Sequence, residues 1–270
     1  MHLRTLTLVF TLMISINCAF AGFDSQVPKT KIISIYRFEN KKDTGPYGDK
    51  SSVFYKNTSV VKEGKVGKSL QIKSKGAVRN RYNAAVDLAE DEFSVVAWIK
   101  TVKQTTGFGI TMFAHKEDHF TGDLTGALGI DFNAEGNVSG VSGLHPNVTT
   151  VRSNQISVFD NKWHHVVFTR YANNYFLFLD GQVAKKKRVE EQIEFSGKKF
   201  SISMVPVGGK PLVGPIYIDE VAFFKRGFSL YEIRALRNAK TGLEKFVEVM
   251  SVEPKKKLTV QWGTLKTYLP

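Results

Sequence analysis

Residues Asn161 to Ala184 constrain this chain more than any other stretch, because they divide into strand-forming runs and turn residues with almost nothing left over. Trp163 to Arg170 is rich in aromatic and β-branched residues. The polar connector Tyr171-Ala-Asn-Asn174 interrupts it, and Tyr175 to Leu179 is a second apolar run. Asp180-Gly181 then supplies the two residues most at ease with positive φ, the signal for a tight type I′ turn into a further strand from Gln182. A three-strand antiparallel meander is the expected product.

The same alternation recurs upstream and downstream. Phe93-Ser-Val-Val-Ala-Trp-Ile-Lys100 places Phe93, Val95, Ala97 and Ile99 on one face, toward a core, and Ser94, Val96, Trp98 and Lys100 on the other. Lys31 to Phe38, Lys199 to Val205 and Gly214 to Phe224 read as strands. Shorter ones are expected near Met112 to Ala114, Leu128 to Phe132 and Val148 to Arg152, within a stretch whose glycines mark hairpins and bulges. Ser229 with Glu232 three residues on forms a capping-box signature, and Leu230, Ile233 and Leu236 follow at helical spacing, so a short helix is expected over Ser229 to Leu236.

Five motifs in order then carry a family resemblance over residues 31 to 243. They are the strand from Lys31 with its acidic, turn-rich loop, Gly64-Lys-Val-Gly-Lys-Ser-Leu70, Phe93 to Lys100, Trp163-His-His-Val with Leu177-Phe-Leu-Asp-Gly181, and Gly214 to Phe224 with its Ile218-Asp-Glu-Val. Together they resemble the laminin-G-like, concanavalin A-like lectin/glucanase family, as a single laminin-G-type domain of a secreted bacterial protein. Ser69 stands where that family usually has Ala. The resemblance implies an all-β fold, a two-sheet antiparallel jelly-roll sandwich with one short C-terminal helix.

Met1 to Ala21 has a short basic start at Arg4, an apolar run from Leu6 to Ile16 and small residues at Ala19 and Ala21, which reads as a signal peptide cut after Ala21. The expected organisation is therefore residues 1–21 as signal peptide, 22–243 as one domain, and 244–270 as a tail, either a docked strand or an attachment segment. Secretion, or a periplasmic or cell-surface location, follows, with no transmembrane segment in the mature chain. Cys18 is the only cysteine and lies in the segment removed, so stability must come from burial rather than disulfides.

Catalysis on this architecture needs closely spaced carboxylates aimed into one cleft. The nearest pair is Asp219 and Glu220, but successive strand residues face opposite ways, and Tyr217 stands where a further acid would be required. His164 and His165 cannot chelate one ion for the same reason. The reading adopted is a non-catalytic recognition module for carbohydrate or another extracellular surface. The alternatives are a glucanase-like enzyme on the same fold and an assembly component acting through the tail.

The aromatic candidates for a sugar face are Trp98, Tyr47, Phe108 and Phe120. The family resemblance implies a structural calcium, for which Asp219, Asp43 and Glu39 are the candidate ligands, although Lys41 and Lys42 beside the acids oppose a dication. The formal net charge is +13, and removing residues 1–21, which hold Arg4 and no acid, leaves +12. Lys185, Lys186, Lys187 and Arg188 are the candidate polyanion-binding run, for an anionic polysaccharide, or else a solvated strand edge. Nucleic acid is not expected, since the chain reads as exported and carries no recognised binding motif.

Overall fold

The computed structural model describes residues 31–42, 52–87, 92–102, 108–115, 127–132, 135–144, 147–189, 196–206 and 215–243. Among them are β1 (Ile32–Tyr36), β2 (Ser52–Val61), β3 (Ser69–Asp87), β4 (Phe93–Thr101), β5 (Phe108–His115), β6 (Ala127–Phe132) and β7 (Asn137–Leu144). They are followed by β8 (Asn147–Ser157), β9 (His164–Tyr171), β10 (Asn174–Leu179), β11 (Gln182–Arg188), β12 (Ser196–Pro206), β13 (Ile216–Phe224) and the helix α1 (Leu230–Asn238).

The meander forms as β9, β10 and β11, through two turns of two residues each. Ala172 and Asn173 have φ of 46° and 59°, and Asp180 and Gly181 have 51° and 76°, so both turns carry the paired positive φ that matches strand twist. The first is tighter than the four-residue connector expected from the sequence.

The strands follow a hydrogen-bonded path β11-β10-β9-β4-β13-β3-β12-β5-β6-β7-β8, with β1 also on β13 and β2 on β3, every pair antiparallel. β3 links the layers of the sandwich. Its Leu70 to Ile72 pairs with Ile218 to Ile216 of β13, whereas its Ala77 to Asp87 pairs with β12. β2 follows it past an irregularity at Asn57, whose φ is 48°.

The two layers face each other across one core. Phe93, Val95, Ala97 and Ile99 of β4, with Val166, Phe168, Tyr175 and Leu177 of the meander, pack against Leu128, Ile130, Phe132, Val138 and Val151 from β6 to β8. Each large apolar side chain among them contributes about 1.5–3 kcal/mol on burial, which is how a chain with a single cysteine is held together. The approach is close: a Cβ on Gly140 of β7 would overlap the ring of Phe168.

A second apolar cluster lies on the opposite face of the first layer. Ile32, Ile35, Val96, Val167, Phe178, Ala222 and Phe224 are covered there by Phe228, Ile233, Leu236 and Leu243. Ser229 caps the helix with the expected reciprocal box, its hydroxyl accepting from the Glu232 amide while the Glu232 carboxylate accepts from the Ser229 amide.

Candidate functional site

The turn Gly64 to Lys68, between β2 and β3, is the point from which the site is built. The Gly64 amide donates to the Gly67 carbonyl, and Gly67 takes a φ of 60°. The turn leaves several amides pointing outward. Lys65 N and Val66 N donate to Asp219 Oδ2 at 2.8 and 3.0 Å, and Lys68 N donates to Glu39 Oε1 at 2.8 Å. The two carboxylates, from β13 and from the segment after β1, thereby fix the turn against the sheet.

Between that segment, the turn and β2 lies an open groove of about 500 Å³ lined by Glu39, Asn40, Lys41, Thr58, Ser59, Val60, Val61, Lys62 and Lys68. Three lysines and one acid line it, and the acid is held by Lys68, whose N donates to Glu39 Oε1 and whose Nζ donates to the Glu39 carbonyl at 3.2 Å. Beside them stand the Asn40 amide side chain and the Ser59 hydroxyl, which also donates to Gln71 Oε1 at 3.3 Å, whereas the Thr58 hydroxyl oxygen is buried. The chemistry is that of a shallow binding surface for an anionic, hydroxyl-rich ligand.

The acids of β13 are arranged otherwise than the alternation implied. A bulge between Asp219 and Ala222 sets Glu220 at φ 49°, so Asp219, paired with Trp98, and Glu220, which borders Val96, Trp98, His165 and Leu243, both turn to the helix side of the layer. They are closed in. Asp219 Oδ1 accepts from the Glu220 amide at 2.8 Å, and Glu220 Oε2 accepts from the Leu243 amide. The space between Glu220 and Trp98 is about 10 Å³, room for no sugar. Burial pushes the Asp219 carboxyl up to about 8, with Glu220 acting in the same direction and the three amides opposing.

His165 and His164 divide as adjacent strand residues do. His165 is buried against Trp98, ring centroids 4.9 Å apart, and burial takes its pKa down to about 3. His164 sits between two carboxylates, Nδ1 2.8 Å from Asp180 Oδ2 and Nε2 2.9 Å from Asp160 Oδ1. The bond to Asp180 raises its pKa, Asp160 adds to this, and burial opposes both.

Of the aromatic candidates, Trp98 is 6 % exposed, with Lys65 Nζ 4.3 Å from its ring centroid, so its faces are given to protein neighbours. Phe108 opens β5 opposite Pro206. Tyr47 and Phe120 lie outside the described residues, as do Asp43 and residues 1–21 and 244–270, the stretches expected to be a signal peptide and a tail. Glu39 borders the groove, and Lys185 to Arg188 form most of the edge strand β11.

The described part of the calcium set does not fit a cation. Asp219 gives both oxygens to backbone amides, Glu39 gives one, and Lys68 Nζ lies 3.2 Å from the Glu39 carbonyl. Among the described residues no three His, Cys, Asp or Glu gather as metal ligands.

Sequence reasoning missed Lys62, Lys68, Thr58 and Ser59 as one surface, and met Lys41 only as an objection to calcium. The available signal was the Gly64 to Leu70 motif, whose turn brings them together.

Comparison with known proteins agrees with the architecture. No curated protein matches the sequence. Solved structures that share the fold include the botulinum neurotoxin serotype G binding domain, at 13 % identity and TM-score 0.62 over 76 % of this chain and 50 % of that one. The binding domain of Paraclostridial Mosquitocidal Protein 1 matches at 13 % and 0.61 over 78 % and 52 %. The binding domain of botulinum neurotoxin DC, in complex with SialylT, matches at 16 % and 0.58 over 78 % and 51 %. The chain spans about half the length of these structures. The family model for the concanavalin A-like lectin/glucanases superfamily, Laminin_G_3, matches residues 75–234, and with the sandwich and its motif order in place the chain belongs to that superfamily.

Proposed function

We propose that this protein is an exported, non-catalytic recognition module that binds an acidic glycan in the groove between the segment after β1 and the outer part of β2. The observation that carries this reading is the gathering of Lys41, Lys62 and Lys68 around an open groove with Asn40 and Ser59 at hand. Carboxylate or sulfate groups answer the lysines, and ring hydroxyls answer the amide and hydroxyl side chains. The neighbouring folds described as binding domains, one solved with SialylT, support it as analogy; fold alone does not fix function.

Recognition without cleavage is supported by the fate of the β13 acids. Asp219 and Glu220 are buried and committed to backbone amides, so neither is presented to a glycosidic oxygen. Export rests on the leader-like residues 1–21.

A glycan array read at low and at high salt, followed by incubation of retained glycans with the protein, tests both halves. Acidic glycans retained at low salt and recovered intact are expected, with retention falling as salt rises. Retention of no acidic glycan, or the appearance of shorter products, would overturn the reading.

A further inference from the structure

We propose that the outer face of the meander, together with α1, is a docking face for an anionic lipid bilayer. The strand register sorts the residues. Across β9, β10 and β11 the rows Tyr171-Asn174-Arg188, Thr169-Phe176-Lys186 and Val167-Phe178-Val183 share the face on which the helix lies, because Val167, Phe176 and Phe178 belong to the cluster that α1 covers. The rows Arg170-Tyr175-Lys187 and Phe168-Leu177-Lys185 turn to the inner side, where Phe168, Tyr175 and Leu177 join the main core. The basic run is therefore two pairs, and only Lys186 and Arg188 stand on the helix side.

The helix completes the face. With Ile233 and Leu236 buried, α1 turns Leu230, Tyr231, Arg234 and Arg237 outward. Arg234 Nε donates to the Gly181 carbonyl at 3.2 Å, joining the helix to the start of β11. The large apolar side chains exposed among the described residues are Tyr171 at 38 %, Val183 at 47 %, Leu230 at 37 % and Tyr231 at 52 %, and all four fall on this face. Lys186 Nζ lies 5.4 Å from the centroid of the half-buried Phe176 ring.

Among the described residues, the acids near this face each have a partner. Asp180 bonds His164, Glu232 is paired with Arg226, and Glu92 accepts amides of Ala172 and Gly227. Among the described residues, Lys186, Arg188, Arg234 and Arg237 are exposed cations on a face that also presents tyrosines and aliphatic side chains. Cations beside amphipathic aromatics suit a headgroup layer, where the charges meet anionic lipid and the rings sit at the interface. A sulfated polymer would engage the cations and leave Val183, Leu230 and Tyr231 in water. It would also reach Lys185 and Lys187 around the strand edge.

Co-sedimentation with vesicles of phosphatidylcholine alone and of an equal mixture with phosphatidylserine tests this, with thermal melts confirming that each variant folds. The protein is expected to sediment with the mixed vesicles and not with the neutral ones. K186A/R188A should weaken that partitioning about thirty-fold, from the loss of two headgroup-facing cations. K185A/K187A should change it by much less, L230S/Y231S should weaken it, and K186R/R188K should bind as the native chain does. Equal sedimentation with both vesicle types would overturn the proposal. So would equal losses in K186A/R188A and K185A/K187A, or full binding by L230S/Y231S, an outcome that would make the run a polyelectrolyte site.

Discussion

Asp219 shows how one side chain is tied to both the fold and the site. It holds the amides of Lys65 and Val66, and with them the turn that carries Lys68 to the groove. Asp219→Ala removes the acceptor of two part-buried donors and should cost about 1–2 kcal/mol, read as a lowered midpoint in urea with an unchanged slope. His164 gives a pH signature. Its folded pKa is raised above the unfolded value of about 6.5, so its contribution is complete below that value and is lost as pH rises through the folded pKa. The gap in Tm between the native protein and H164Q should therefore be largest near pH 6 and shrink toward alkaline pH; a constant gap would remove the charge from the account. The alternation predicted Phe93, Val95, Ala97 and Ile99 as inward-facing, and they are. It failed at Asp219 and Glu220, because one extra residue in a bulge shifts a side chain to the other face and leaves no trace in composition.

At the level of elements, local chemistry made the helix and the meander legible. The capping box at Ser229 and Glu232 and the Asp180-Gly181 turn are short-range patterns that fix geometry without reference to the rest of the chain. Ser229→Ala should lower stability by about 1 kcal/mol, and Ser229→Asp should restore most of it, both read by thermal melts. β3 was less legible, since its nineteen residues serve two partners in succession and only the first few match a motif. The groove was illegible for a related reason. Its lysines come from the segment after β1, the end of β2 and the following turn, and they meet through carboxylate-to-amide bonds that join residues far apart in sequence.

For the molecule as a whole, the balance is an apolar core between two layers in a chain of strongly positive net charge. Asp219 and Glu39, the described members of the expected calcium set, secure backbone amides, so addition of a chelator should leave the melting midpoint where it was, whereas a fall would reveal a stabilising ion. The net positive charge gives the groove its long-range attraction, and binding there should weaken with salt while the fold, held by apolar burial, should not. The most direct measurement is an amide chemical-shift titration of the isotopically labelled protein with the acidic glycan that the array retains most strongly. Saturable shifts confined to Asn40, Lys41, Thr58 to Lys62 and Lys68, with the glycan recovered whole, are the predicted result. Shifts centred instead on Asp219, Glu220 and His165, or loss of the glycan to fragments, would contradict it.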